Sequence, residues 1–401
     1  MTYCNAQKLF SSASRSGNEN AAHLRLLLSC LGNPERRCKI LPVAGGKGKS
    51  SVTRMLSGIL FHSAIPCVAV IYPCLCPPKD NVFIGDKPLS IEEFTRYTAR
   101  LFFAVKQAIS AEDGVTFSQD ELLFCLAVIV AEETGARWLI LEIPNRSFSP
   151  LSTVRFSSPL TVITSCGEQV PGEVLSMIHP GLDEVVSARF SHNTTYNAVS
   201  GACAKAGCRL TVPAFSGVTL IESSLRRTVF SYRGIEYTMP LYGEFSLSNA
   251  LCALETAAAL KRLDCPITAE GAVLGLERAA LPARGEILSV SPTLLIDAAD
   301  DPLSLSAVTR VLRSKGPALG ARITLCLSEP SEEQLYTDAL SALSEQGFSV
   351  TETVRVPAGK ENRTAVLLLK AATDGNLILT LGGLPFAHTM HNEFLKVLKT
   401  R

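Results

Sequence analysis

The run VAGGKGKSSVTRML, Val43 to Leu56, has the make-up of a loop that holds phosphate. Gly45, Gly46 and Gly48 allow the backbone to take positive φ and to approach an anion closely. Successive N–H groups at the start of a helix form a nest that favours negative charge. Lys47 and Lys49 add positive charge, and Lys49 is placed to reach β- and γ-phosphates. Ser50 and Ser51 follow, and either hydroxyl can face a magnesium ion. In the common pattern G-x-x-x-x-G-K-[ST] the first glycine falls on Val43 here, so the spacing is not the standard one.

A loop of this kind needs a strand before it and a helix after it. CKILPVAGG reads as a short apolar strand running into glycines. Val52, Met55, Leu56, Ile59 and Leu60 then recur at helical spacing. Strands follow at PCVAVIY, ARWLILEI and PLTVITSC, with a helix of polar start and buried middle at SQDELLFCLAVIVAEE. Strands alternating with helices predict a parallel sheet covered on both faces. RTVFSYRGIEYTMPLYG alternates about a turn at Arg233-Gly234, which predicts antiparallel strands at the edge of the first domain. An alanine-rich helix, FSLSNALCALETAAALKRL, comes next. After a seam at ERAALPARGEIL, alternation resumes through TLLIDAADD, ARITLCLSE, VTETVRV and NLILTLGG, with helices between them. The fold expected is α/β: a P-loop parallel-sheet ATPase domain over residues 1–280 and a smaller Rossmann-like α/β domain over residues 281–401.

Composition narrows the function. At 401 residues two domains are the default. The 38 basic and 37 acidic side chains nearly cancel, which argues against nucleic acid as the main partner. The longest apolar run, LLFCLAVIVA, is about half of the ~20 residues a bilayer span needs. The first twenty residues contain no apolar signal core. The 13 cysteines are scattered and form no CxxC, so they read as reduced thiols packed as small apolar residues. Cys74 and Cys76, one residue apart, are poorly spaced for zinc. A soluble cytoplasmic protein without a membrane partner is expected.

The segment LLSCLGNPERRCKILPVAGGKGKSSV resembles the opening of folylpolyglutamate synthases, of the Mur ligase superfamily, where a leucine-rich helix and an LGNP turn lead to VAGTNGKGSV. Further matches follow in order: YPCLCPPKDNVFIGDKPLSIEEF, SQDELLFCLAVIVAEE, IHPGLDEVVS, LYGEFSLSNALCALETA, LPARGEIL and LIDAADDP. The resemblance implies an ATP-dependent amide ligase. A substrate carboxylate would attack the γ-phosphate, and the acyl phosphate formed would be taken by an amino acid, glutamate in the folate enzymes. Matching positions imply that Gly45, Gly48 and Lys49 cradle phosphate and Ser51 supplies the magnesium hydroxyl. They imply that Glu142, at the end of WLILE, is linked to the metal, and that Asn249 faces adenine. Arg284 would neutralise phosphate, and Asp297 would lie at the nucleotide edge of the second domain. ATP and Mg²⁺ are the implied cofactors, glutamate and a reduced folate the implied substrates, and a monomer the implied state.

The chain also departs from the pattern. Gly46-Lys47 replaces Thr-Asn, Ser50 replaces glycine, Cys74 stands for a histidine, PNRSFS follows Glu142, and Glu168-Gln169 replaces Asp-His. Phe245-Ser246 replaces His-Gln, and Asp300-Asp301 replaces His-Asn. The lysine that many of these ligases carbamoylate aligns with Val174, and no lysine occurs between Lys106 and Lys205. His179 is a candidate substitute metal ligand. The leading reading is a divergent ligase joining glutamate to a folate carboxylate. The alternative is a nucleotide-binding relic with an interaction or regulatory role. A ligase for another acid is a third.

Overall fold

A computed structural model of the chain describes residues 1–14, 20–75, 77–144, 158–223, 227–240, 244–314, 322–329, 333–373 and 375–400. Contacts divide the chain into two compact units, Met1–Val218 with Ser248–Ala279, and Thr219–Leu247 with Ala280–Arg401. The antiparallel strands around Arg233-Gly234 thus group with the second unit, where the sequence placed them with the first. Their alternation showed a half-buried ribbon but carried no information on which body it joins.

The first unit contains β1 (Lys39–Ala44), β2 (Cys67–Val70), β3 (Val82–Ile84), β4 (Lys87–Pro88), β5 (Trp138–Glu142), β6 (Leu160–Ile163), β7 (Glu184–Ser187) and β8 (Arg209–Thr211). They form one sheet in the order β4-β3-β2-β5-β1-β6-β7-β8. All neighbours from β2 to β8 are parallel, whereas β3 and β4 add as an antiparallel edge. Every residue of β2, β5, β6 and β7 is buried, as is all of β1 after Lys39. A strand covered on both faces has no solvent side, so these segments read as unbroken apolar runs rather than alternating ones.

Among the described residues five α-helices precede β6: α1 (Tyr3–Ser11), α2 (Ala21–Cys30), α3 (Lys49–His62), α4 (Ile91–Ala111) and α5 (Gln119–Glu133). Capping boxes start α4 and α5, with Ser90 paired to Glu93 and Ser118 to Glu121. In each, the serine oxygen accepts the glutamate N–H and the glutamate carboxylate accepts the serine N–H. The LLFCLAVIVA run is the middle of α5, buried on all sides. Each such large side chain contributes about 1.5–3 kcal/mol through burial.

In the second unit, β9 (Val218–Ser223), β10 (Thr228–Tyr232) and β11 (Ile235–Met239) form a small sheet. Arg233 and Gly234 both have positive φ, 51° and 78°, as a two-residue hairpin turn requires. A five-stranded sheet follows, of β12 (Glu286–Val290), β13 (Thr293–Asp297), β14 (Arg322–Glu329), β15 (Val350–Pro357) and β16 (Asn376–Leu381). Its order is β12-β13-β16-β14-β15, parallel except for β12. β12 begins inside what reads in sequence as the seam and runs past its end, and a last helix, Leu384–Lys399, follows β16. Among the described residues no helix is long and apolar enough to cross a membrane.

Candidate nucleotide site

β1 sits between β5 and β6, with Val43 level with Glu142 on one side and Ala44 level with Ile163 on the other. The chain leaves β1 through α3 toward β2, on one side of the sheet order, and leaves β6 toward β7 on the other. Such a reversal opens a crevice beyond the carboxyl ends of the strands, where open α/β sheets bind ligands. Residues 45–48 and 164–167 follow the carboxyl ends of β1 and β6 there.

Gly45 has φ 121°, and a Cβ there would lie 2.6 Å from Thr164 Oγ1. Gly48, the residue before α3, has φ 92°, and a Cβ there would lie 2.2 Å from Asn249 Oδ1. The N–H groups of Gly46 and Lys47 both donate to the Ser165 carbonyl, at 2.9 and 3.0 Å. The first intrahelical bond of α3 is from Val52 N–H to Gly48 O at 2.9 Å. The amides of Lys49, Ser50 and Ser51 therefore have no acceptor within the helix, the arrangement that suits an anion.

Lys49 is buried, at 6% exposure. Its Nζ donates to the carbonyls of Gly46 at 2.9 Å and Gly45 at 3.2 Å. The ammonium is thus folded back onto the loop. Lys47 is exposed, Ser50 is buried and Ser51 half-buried. Cys166 is buried beside the loop; burial pushes its thiol up, while the Gly46 amide and the Lys49 charge oppose the shift.

Glu142 is 4% exposed, and its Oε2 accepts the Tyr72 N–H at 3.1 Å. The Tyr72 hydroxyl donates to Asp120 O at 3.3 Å, and burial pushes that phenol well above its ordinary range. Nearby, Asn81 is fully buried and fastens the turn after β2. Its Nδ2 donates to Ile71 O at 2.7 Å and Pro73 O at 2.8 Å, and its Oδ1 accepts the Leu75 N–H at 2.7 Å.

The structure brings together Gly45, Gly46, Lys47, Gly48, Lys49, Ser50 and Ser51, with Asn249 packed on Gly48. Glu142 joins them through the β1–β5 register. Asn249 is 8% exposed and braces the loop, a contact that residue types and spacing do not predict. Thr164, Ser165 and Cys166 were missed as well. Their only sequence signal was the end of a strand, ITSC, beside β1. Val174 lies buried in the core, as an aliphatic side chain should. His179 hydrogen-bonds the adjacent Pro180 carbonyl at 3.0 Å, and among the described residues no cluster of three or more His, Cys, Asp or Glu has metal-site geometry. Residues 145–149 of PNRSFS, Leu241–Gly243 of the LYGEF segment and Cys76 lie outside the described residues.

Arg284 and Asp297 belong to the second unit. Asp297 ends β13. Asp301, the second of the acidic pair Asp300-Asp301, caps the next helix. Its Oδ1 accepts Ser304 N–H at 3.1 Å and its Oδ2 accepts the Ser304 hydroxyl at 2.6 Å. That negative charge therefore serves the positive end of the helix Pro302–Ser314.

No protein-family model matches the chain. The dihydrofolate synthase/folylpolyglutamate synthase of Mycobacterium tuberculosis is 24% identical over 338 residues, 71% of this chain and 64% of that protein. The chain spans from 26% to 64% of the length of the first curated relatives it matches. A solved folylpolyglutamate synthase–AMPPCP–folate complex superposes with a TM-score of 0.81 at 18% identity, covering 98% of this chain and all of that one. The M. tuberculosis folylpolyglutamate synthase complexed with ADP gives 0.77 at 18% identity, covering 98% of each chain.

Proposed function

We propose that this relative of the folylpolyglutamate synthases, similar to them in sequence and alike in fold, is an ATP-dependent ligase that joins an amino acid to a substrate carboxylate. Glutamate and a reduced folate are the leading pair, as the names of its relatives suggest. The observation that carries the reading is the built phosphate cradle. Three of its glycines, Gly45, Gly46 and Gly48, leave no room for a Cβ, its lysine is buried, and the amides at the start of α3 lack helical acceptors.

The residues present fit a magnesium ion bound mainly through phosphate. Ser51 is in the first turn of α3, and Glu142 is a buried carboxylate at the neighbouring strand end. Magnesium needs only one or two protein oxygens when phosphates and waters complete its shell. When bound there it would neutralise charge on the β- and γ-phosphoryl oxygens. The chain's own groups would do the rest. Lys49 leaves the carbonyls of Gly45 and Gly46 for the transferred phosphoryl group and follows its charge. The amides of α3 hold the phosphates in line for attack by the carboxylate. The carboxylate oxygen bonds to phosphorus as ADP departs, and the amine nitrogen then displaces phosphate from the acyl carbon and gives up a proton. Roles for Asn249 at adenine, Arg284 at phosphate and Asp297 at the nucleotide edge are part of the same proposal.

With Val174 in place of a carbamoylated lysine, that group supplies no ligand for a second metal. The proposed reaction needs one metal. Titration with MgATP should show saturable binding in the wild type and a loss of at least about tenfold in Lys49→Ala, on the scale of one charge-assisted contact. Equal affinities would overturn the reading of the loop. Binding without turnover under any acid and amine would favour a nucleotide-binding relic.

A further inference from the structure

Arg284 sits at the apex of a turn of unusual conformation. Ala283 before it has φ 60° and Gly285 after it has φ 62°. A non-glycine residue at positive φ is held there by its surroundings rather than by its own preference. Here the surroundings are visible. Glu286, the first residue of β12, turns its Oε2 back to accept the Ala283 N–H at 3.1 Å. The same oxygen meets His391 Nε2 at 3.1 Å. His391 lies on the C-terminal helix Leu384–Lys399, more than a hundred residues along the chain.

His391 is itself fixed. It is 6% exposed, its Nδ1 lies 3.3 Å from Asn392 Oδ1, and its ring stacks near His388 at 6.3 Å between centroids. Asn392 Nδ2 donates to His388 Nδ1 at 3.4 Å. The imidazole is thus held with its Nε2 facing one carboxylate oxygen of Glu286. A surface glutamate would choose among many rotamers; this one is pinned at its far end. Arg284 is half-buried and makes no hydrogen bond or ion pair with the described residues.

We propose that His391 is a positioning residue for Arg284, acting through Glu286: the His391–Glu286–Ala283 chain locks the positive-φ turn that carries the arginine. This rests on the ligase reading for what Arg284 does, and adds to it which groups set its position. None of the three touches substrate in this account.

The test compares His391→Ala, His391→Gln, Glu286→Ala and Arg284→Ala, with the double variant Arg284→Ala/His391→Ala. Hydrogen exchange at the Ala283 amide, read in the full chain without nucleotide, should quicken by at least about tenfold in His391→Ala and Glu286→Ala, since the amide loses its pinned acceptor. His391→Gln keeps a donor for Glu286 and should restore protection. In turnover, His391→Ala should lower kcat/KM for ATP by roughly ten- to a hundredfold, the scale of a misplaced catalytic group. It should change the same one of kcat and KM that Arg284→Ala changes. In the Arg284→Ala background it should have no further effect, because the two act as one unit. Additive losses, or unchanged exchange at Ala283, would overturn the proposal. A wild type without ATP turnover would refute the ligase reading instead, and the exchange arm would still uphold or overturn the lock.

Discussion

Asn249 packs directly on Gly48: a Cβ at residue 48 would fall 2.2 Å from the Asn249 amide oxygen, and the glycine is at φ 92° besides. Gly48→Ala thus meets both a steric and a conformational obstacle. It should cost about 1–3 kcal/mol of stability and weaken MgATP binding by more than about tenfold. Adding Asn249→Ala removes the clash but not the strain, so the double variant should recover only part of the loss. Denaturant melts and calorimetric titration of the three variants check this, and full recovery in the double variant would show that backbone strain plays no part.

Glu142 serves two ends. Its Oε2 satisfies the Tyr72 amide, and the proposed metal role needs its charge. Glu142→Gln keeps an acceptor for Tyr72 and removes the charge. It should fold with near wild-type stability and lose ATP turnover by a hundredfold or more, the scale of removing one preorganised charge-stabilising group. Glu142→Ala strands a buried N–H and should also lose about 1–3 kcal/mol of stability. Equal stability of the two variants would contradict the Tyr72 contact.

The two loop lysines should differ. Lys49 is buried against loop carbonyls whereas Lys47 is exposed. Lys47→Ala should weaken MgATP binding a few-fold, with a loss that shrinks as salt rises, because an exposed charge is screened over about 8–10 Å at moderate ionic strength. Lys49→Ala should lose far more, at every salt concentration. Affinities measured across a salt series separate the two.

Thiol reactivity tests the core. Burial pushes Cys67, Cys252 and Cys326 up to about 12 and Cys125 well above its ordinary value. At pH 8 a thiol with a pKa near 12 is thiolate for only about one part in ten thousand. Alkylation of the folded protein followed by mass spectrometry should label exposed Cys4 first and leave these four intact until denaturant is added. Early labelling of Cys252 or Cys326 would contradict the packing.

Much of this was legible in the sequence because it is local. Strand, glycine turn and helix are consecutive, so β1, the loop and α3 could be read from spacing alone. The order of weak matches carried the α/β fold to the C-terminal unit. What escaped is made by backbone groups or by residues far apart. The Ser165 carbonyl that takes two loop amides leaves no mark on residue type. Asn249 meets Gly48 from some two hundred residues away. The acidic pair Asp300-Asp301 stood out only as a replacement for His-Asn, yet Asp301 is a helix cap, recognisable in retrospect from Ser304 three residues on. The membership of Thr219–Leu247 in the second unit depends on tertiary contacts that alternation cannot encode.

The most direct test of the central claim is a mass-spectrometric reaction assay with MgATP, glutamate and a reduced folate, run on the wild type and on Lys49→Ala. The account predicts a glutamate-sized increase in the mass of the folate, matched by release of ADP and phosphate, and absent in the variant. ATP binding without any such product, with this or any other acid and amine, would contradict it.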